Sequence, residues 1–82
     1  MDRITIRFRH LKNNSEVDLE IPCFITANEL VQALNEAYQL EIDTSDINQC
    51  YLQAENPVAL LRGNKTISEF GLQNGSVIYY TN

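Results

Sequence analysis

Two stretches near the start of the chain alternate apolar and polar residues with a period of two. Residues 3–9 read Arg-Ile-Thr-Ile-Arg-Phe-Arg, and residues 16–21 read Glu-Val-Asp-Leu-Glu-Ile. Such alternation marks half-buried strands, because successive side chains point to opposite faces of a sheet. Ile4, Ile6 and Phe8 form one inward set; Val17, Leu19 and Ile21 form the other. The polar stretch from His10 to Ser15 turns the chain between them. Pairing the strands antiparallel with Phe8 opposite Val17 places Ile6 opposite Leu19 and Ile4 opposite Ile21. The same register sets Arg9 against Glu16 and Arg7 against Asp18 on the outer face. A slip of one residue would bury these charges, so the pattern specifies the register. Each outer pair contributes about 0.2–1 kcal/mol.

The period then changes. Leu30, Val31, Leu34, Ala37 and Tyr38 make an apolar stripe at helical spacing. Thr26 three residues before Glu29 is a capping box, which sets the start of a helix over residues 27–39. Asn28, Gln32, Asn35, Glu36 and Gln39 are expected to face water. Ile42 and Ile47 are expected to anchor the following connection. Residues 50–55 predict a third strand with Leu52 and Ala54 inward, ended by Asn56-Pro57. Residues 58–62 predict a short edge strand with Leu60 as its core residue. Thr66 to Phe70 predicts a helical turn, Asn74-Gly75 a tight turn, and Val77 to Tyr80 a last strand. In that strand Ile78 and Tyr80 face inward and Val77 and Tyr79 outward. Gly71 and Gly75 suit positions of positive φ.

The chain of 82 residues, 44% hydrophobic, predicts one domain over residues 1–82. Its net charge of −5 is unevenly distributed. No Lys or Arg lies between Lys12 and Arg62, an interval that holds nine acidic residues. Phosphate backbones and anionic lipid would repel such a surface, which argues against nucleic-acid and membrane-surface partners. No apolar run approaches the roughly 20 residues that span a bilayer, so direct membrane insertion is not expected. The N-terminus is strand-like rather than a signal peptide, and a cytoplasmic location is expected.

Candidate chemistry is sparse. The two cysteines, Cys23 and Cys50, lack the spacing of a disulfide framework or a zinc site. Cys50 reads as a small core residue and Cys23 as a boundary residue. The single histidine, His10, falls in the predicted loop with no nucleophile at a meaningful spacing. Gly63, Gly71 and Gly75 are isolated turn glycines, not a phosphate loop. No catalytic residue, metal ligand or cofactor is predicted, and the chain is expected not to be an enzyme.

Hairpin, helix, strand, short strand, helical turn and final strand is the order of an α+β fold of β-grasp type. Four main strands and a short edge strand form a mixed sheet on one helix. The alternation of residues 16–21, the spacing Thr26, Leu30 and Leu34, and Thr66-Ile67-Ser68-Glu69-Phe70 resemble ubiquitin. Over nearly its whole length the chain is similar to the YukD/EsaB family of small bacterial ubiquitin-like proteins. The residues that carry this are Val17-Asp18-Leu19-Glu20-Ile21-Pro22, the helix from Ala27, and Gly71-Leu72-Gln73-Asn74-Gly75. The resemblance implies a non-catalytic accessory protein of a type VII (WXG100, ESX-like) secretion system. Its partner would be a protein component of the membrane-embedded machinery. The ending Tyr80-Thr81-Asn82 lacks a terminal Gly-Gly, so conjugation to other proteins is not expected. The alternative is a general ubiquitin-like interaction domain of another assembly, including a piece of a longer protein.

In a β-grasp sheet the first strand is central, flanked by the second and the last, with the third beside the last. That order gathers Arg7, Tyr51, Gln53, Val77 and Tyr79 on one open face, with Arg9 beside them. Tyrosine and arginine are enriched at binding hot spots. Two readings stand side by side: a protein-binding face, or good strand formers and arginines that answer the acids of the neighbouring strand. At the position of ubiquitin's exposed recognition isoleucine stands Gln53, so ubiquitin readers are not expected to bind. The edge near Leu60 and Leu61 is a second candidate, since an unpaired edge can accept a partner strand.

Overall fold

A computed structural model describes residues 2–81. Met1 and Asn82, the ends of the predicted domain and of the predicted tail, lie outside the described residues. The alternating stretches form β1 (Arg3–His10) and β2 (Ser15–Pro22), joined by a 3-10 turn at Leu11–Asn13. Asn14 closes that turn in the left-handed region, which asparagine tolerates better than most residues. Helix α1 (Ala27–Tyr38) follows, then β3 (Leu52–Glu55), β4 (Ala59–Leu61) and β5 (Val77–Tyr80). The strands form one mixed sheet in the order β2-β1-β5-β3-β4. The β1–β5 pair is parallel and the others antiparallel. The β1–β2 register is the one read from the alternation, with Phe8 opposite Val17 and Arg7 opposite Asp18.

The helix starts where its capping box requires. The Glu29 amide donates to Thr26 Oγ1 at 3.1 Å, and the Thr26 amide donates to Glu29 Oε1 at 2.9 Å. Thr66 and Glu69 repeat the device: the Thr66 amide donates to Glu69 Oε1 at 2.9 Å and the Glu69 amide to Thr66 Oγ1 at 3.2 Å. The Thr66 amide and then its hydroxyl hold the Glu69 carboxyl below its usual range. The two caps meet, with Thr26 and Thr66 in an isolated β-bridge and the Ala27 amide on the Lys65 carbonyl. This ties the start of α1 to the approach to β5.

The core lies between α1 and the inner sheet face. Ile4, Ile6, Phe8 and Ile21 meet Ala27, Leu30, Val31 and Leu34, and Leu52, Ala54, Leu61, Leu72 and Ile78 complete it. Leu30, Leu34, Leu52, Leu72 and Ile78 are all buried.

Several positions differ from expectation, each for a local reason. Leu61 fills the core at 0% exposure, while Leu60 is 42% exposed. Leu61 lies opposite Leu52, and Leu60 lies opposite outward-facing Gln53. Val17 keeps its inward parity but is 40% exposed, in the outermost strand close to the hairpin turn. Ala37 and Tyr38, at the end of the helix, are exposed, although the Tyr38 ring packs on Phe8 with centroids 5.1 Å apart. Ile42 is buried, but Ile47 is 80% exposed and anchors nothing. Asn28 and Asn35 do not simply face water. Asn35 brackets the Ile42 backbone, donating to its carbonyl at 3.0 Å and accepting from its amide at 2.9 Å. Asn28 accepts from the Gly63 amide at 3.1 Å. His10 is not a loop residue: it ends β1, is buried, and its ring centroid lies 5.5 Å from that of Tyr80.

Candidate functional site

The outer sheet face is built by the register of β5 against β1. The turn Gln73–Ser76 fixes that register. The Ser76 amide closes it on the Gln73 carbonyl at 3.0 Å, and Gly75 takes φ +90°, open to glycine without strain. The turn clamps β1 through Thr5, whose amide donates to Asn74 Oδ1 at 2.8 Å and whose carbonyl accepts from the Gly75 amide at 2.9 Å. Ser76 is fully buried; its hydroxyl accepts from the Gln73 amide and donates to the Asn56 carbonyl. From this start Val77 falls beside Arg7, and Tyr79 beside Arg9. On the other side of β5, Tyr79 lies opposite Gln53 and Val77 opposite Glu55.

Charges divide the face. Arg7 Nε lies 3.2 Å from Asp18 Oδ1 and its Nη1 lies 3.1 Å from Glu16 Oε1. Arg9 Nε donates to Glu16 Oε2 at 2.7 Å, and Arg3 Nη1 lies 3.8 Å from Glu20 Oε1. Glu16 therefore joins both arginines, and the cations of β1 are matched by the acids of β2. These side chains are about half exposed, so each pair contributes no more than about 1 kcal/mol.

Across β5 the character changes. Tyr51, Gln53 and Tyr79 line one groove of about 200 Å³ together with Glu41, Gln49 and Tyr80. Tyr51 lies just before β3, at the end of a turn in which the Gln49 and Cys50 amides donate to the Asp46 carbonyl. Arg7 and Val77 line a separate depression with Thr5, Asp18 and Gly75. The five predicted residues thus share one face but not one site: three come together, and two sit apart. Val77 points outward yet is only 9% exposed, because it lies between Arg7 and Glu55 in the middle of the sheet. Leu60, the cross-strand neighbour of Gln53, extends the Tyr79–Gln53 row to the sheet edge, and Val58 beyond it is 88% exposed. Leu60 is thus an outer-face residue and not the core residue of β4, because it lies opposite the outward Gln53.

Other reactive groups are occupied or isolated. Cys50 is buried and Cys23 half-buried, both as free thiols. Burial first, and the Asp43 charge second, push the Cys50 thiol up and keep it protonated. His10 Nδ1 is 3.1 Å from Asn13 Nδ2. Among the described residues no group of three or more His, Cys, Asp or Glu side chains is arranged to hold a metal ion. None of the described helices is long and apolar enough to cross a membrane.

Comparison with solved structures places the fold among ubiquitin-like domains. The C-terminal ubiquitin-like domain of mouse tubulin-specific chaperone e superposes with a TM-score of 0.70 at 10% identity, over 95% of this chain and 84% of that one. A ubiquitin-like domain of an Arabidopsis thaliana protein gives 0.67 at 12% identity, over 96% and 76%. The UBL domain of Plasmodium falciparum Dsk2 gives 0.61 at 15% identity, over 94% and 96%. At these identities the likeness concerns fold alone. No curated protein matches the chain at a significant level. The family model described as WXG100 protein secretion system (Wss), protein YukD, matches residues 3–79, from the first residue of β1 to within one residue of the end of β5. The chain is a ubiquitin-like β-grasp protein and belongs to the YukD family of the WXG100 secretion system.

Proposed function

We propose that this protein is a cytoplasmic, non-catalytic adaptor that binds a protein component of the membrane-embedded type VII secretion machinery through its outer sheet face. Binding is non-covalent, without conjugation of the chain to its partner. Tyr79, Gln53 and Tyr51 form the centre of the contact, with Leu60 at the edge and Arg7 and Val77 on the flank. The observation that carries this reading is the row Tyr79–Gln53–Leu60, which presents an aromatic ring, an amide and an exposed leucine side by side. None of the three is taken up by an ion pair, unlike the β1–β2 half. Tyrosine rings offer large contact area at low entropy cost, which suits a hot spot.

Affinity capture of named secretion components from detergent-extracted membranes tests the reading. Wild type should retain a membrane component of the system, and a Tyr51→Ala, Tyr79→Ala double variant should lose it with its fold intact. Equal capture by the folded double variant would move the contact elsewhere. Incubation with ATP and an E1-type activating enzyme should yield no C-terminal adenylate or thioester; an adduct would overturn the non-covalent reading.

A further inference from the structure

We infer that the groove between Tyr51 and β5 receives a basic side chain, so that the partner presents an exposed arginine or lysine to this face. The inference rests on the proposed binding face and names the chemistry of what occupies it.

Three features converge. First, three tyrosines, Tyr51, Tyr79 and Tyr80, are among the residues that line the groove of about 200 Å³, alongside polar Asn48, Gln49, Gln53 and Thr81. Tyrosine faces attract cations through the ring quadrupole. Second, the only charged side chain among the lining residues is Glu41, a carboxylate with no ion pair among the described residues. Gln53 and Gln49 add amide oxygens that can accept from a guanidinium. Third, among the described residues no Lys or Arg lines the groove; Lys12 lines the adjoining depression with Glu41 and Tyr80 but makes no ion pair with Glu41. Arg3, Arg7 and Arg9 are held by the acids of β2, and Arg62 lines a different depression with Asn28 and Gly63. The net charge of −5 would steer a basic partner toward the protein, and the groove supplies the point of contact. An acidic partner would meet Glu41 and Glu55 with nothing on this half to offset them.

The test uses a blocked acetyl-Gly-Arg-Gly-amide peptide titrated into the full-length, isotopically labelled protein, followed by amide chemical shifts. Saturable shifts are expected at Tyr51, Gln53 and Tyr79, with a blocked Gly-Gln-Gly peptide giving none. Glu41→Gln should weaken binding by about two- to fivefold, the range of an exposed ion pair. Glu36→Gln removes the same charge from the exposed helix surface and should leave binding unchanged. Equal weakening by both variants, equal binding of the glutamine peptide, or no saturable shift would overturn the inference. Its failure is separable from failure of the binding face. If Tyr79→Ala abolishes capture of the secretion component while the arginine peptide does not bind, the face stands and the cation does not. If the peptide binds as expected and capture ignores Tyr79, the groove stands and the face assignment falls.

Discussion

The two halves of the outer sheet face differ in how far they are spoken for by the chain itself. On β1 and β2 every outward arginine meets an outward acid, and Glu16 serves two of them. On β5, β3 and β4 the outward residues are Val77, Tyr79, Gln53, Glu55 and Leu60, and none has an ionic partner among the described residues. The first half spends its charges on strand register, where a slip would separate them. The second half has its register fixed by other means, the Thr5–Asn74–Gly75 clamp and the buried core, so Tyr79, Gln53 and Leu60 are not needed to set it. On the proposed reading, two halves of one sheet divide structural from binding duties, with Arg7 at their boundary.

The largest effect should come from adjacent leucines of β4. Leu61→Ala should cost about 2–5 kcal/mol, because a fully buried side chain leaves a cavity. Leu60→Ala should cost about 0.5 kcal/mol or less in stability. Chemical denaturation of both variants checks this, and equal losses would break the assignment of Leu60 to the outer face. Next in size is binding. Tyr79→Ala should weaken the partner complex by about 2 kcal/mol, roughly thirtyfold, with little change in melting. Titration calorimetry against the captured partner measures it.

The paired half should respond in the opposite sense. Glu16→Gln removes the shared acceptor of Arg7 and Arg9 and should lower stability by up to about 1 kcal/mol, since the pairs are about half exposed. Partner affinity should fall far less than with Tyr79→Ala, because Asp18 still holds Arg7 at the flank, and raised salt should shrink the stability difference. A Glu16→Gln variant that loses partner binding but not stability would erase the contrast between the halves.

The smallest effect concerns carboxylates away from either half. The Ser45 hydroxyl, then the Ser45 amide, hold Asp43 below its ordinary 3.8, and Thr66 holds Glu69 below its ordinary 4.5. A carboxyl whose folded pKa is depressed adds stability above its unfolded value, and that stability is lost as pH falls through the folded value. Melting should therefore be insensitive to these two groups above about pH 5 and should decline as pH drops below their ordinary values. Thr66→Val should flatten the part of that decline due to Glu69, whereas Thr26→Val reports on the helix cap itself.

What could be read from sequence follows the reach of each signal. The β1–β2 register was legible residue by residue because polarity and charge agreed over six consecutive positions on each strand. The helix start was legible because its cap is local. Strand parity placed Tyr79 and Gln53 correctly, and the β-grasp order then put them side by side. Parity failed in β4, where three residues, Ala59, Leu60 and Leu61, carry no alternation; only the opposite strand decides which leucine turns inward. The roles of Asn28 and Asn35 were hidden because their partners lie 35 and 7 residues away. The division of the five site residues between two depressions was likewise invisible. Parity reports which face a residue is on, and the curvature of that face depends on the loop that brings Tyr51 and Glu41 to the end of β5.

The most direct test of the contrast is secretion of a WXG100 protein by a strain that lacks this chain. Wild type, the Tyr51→Ala, Tyr79→Ala double variant and Glu16→Gln would be supplied at matched levels. The account predicts that the tyrosine variant, folded and as abundant as wild type, fails to restore secretion, while Glu16→Gln restores it fully. Full restoration by the tyrosine variant, or failure of Glu16→Gln at normal abundance, would contradict it.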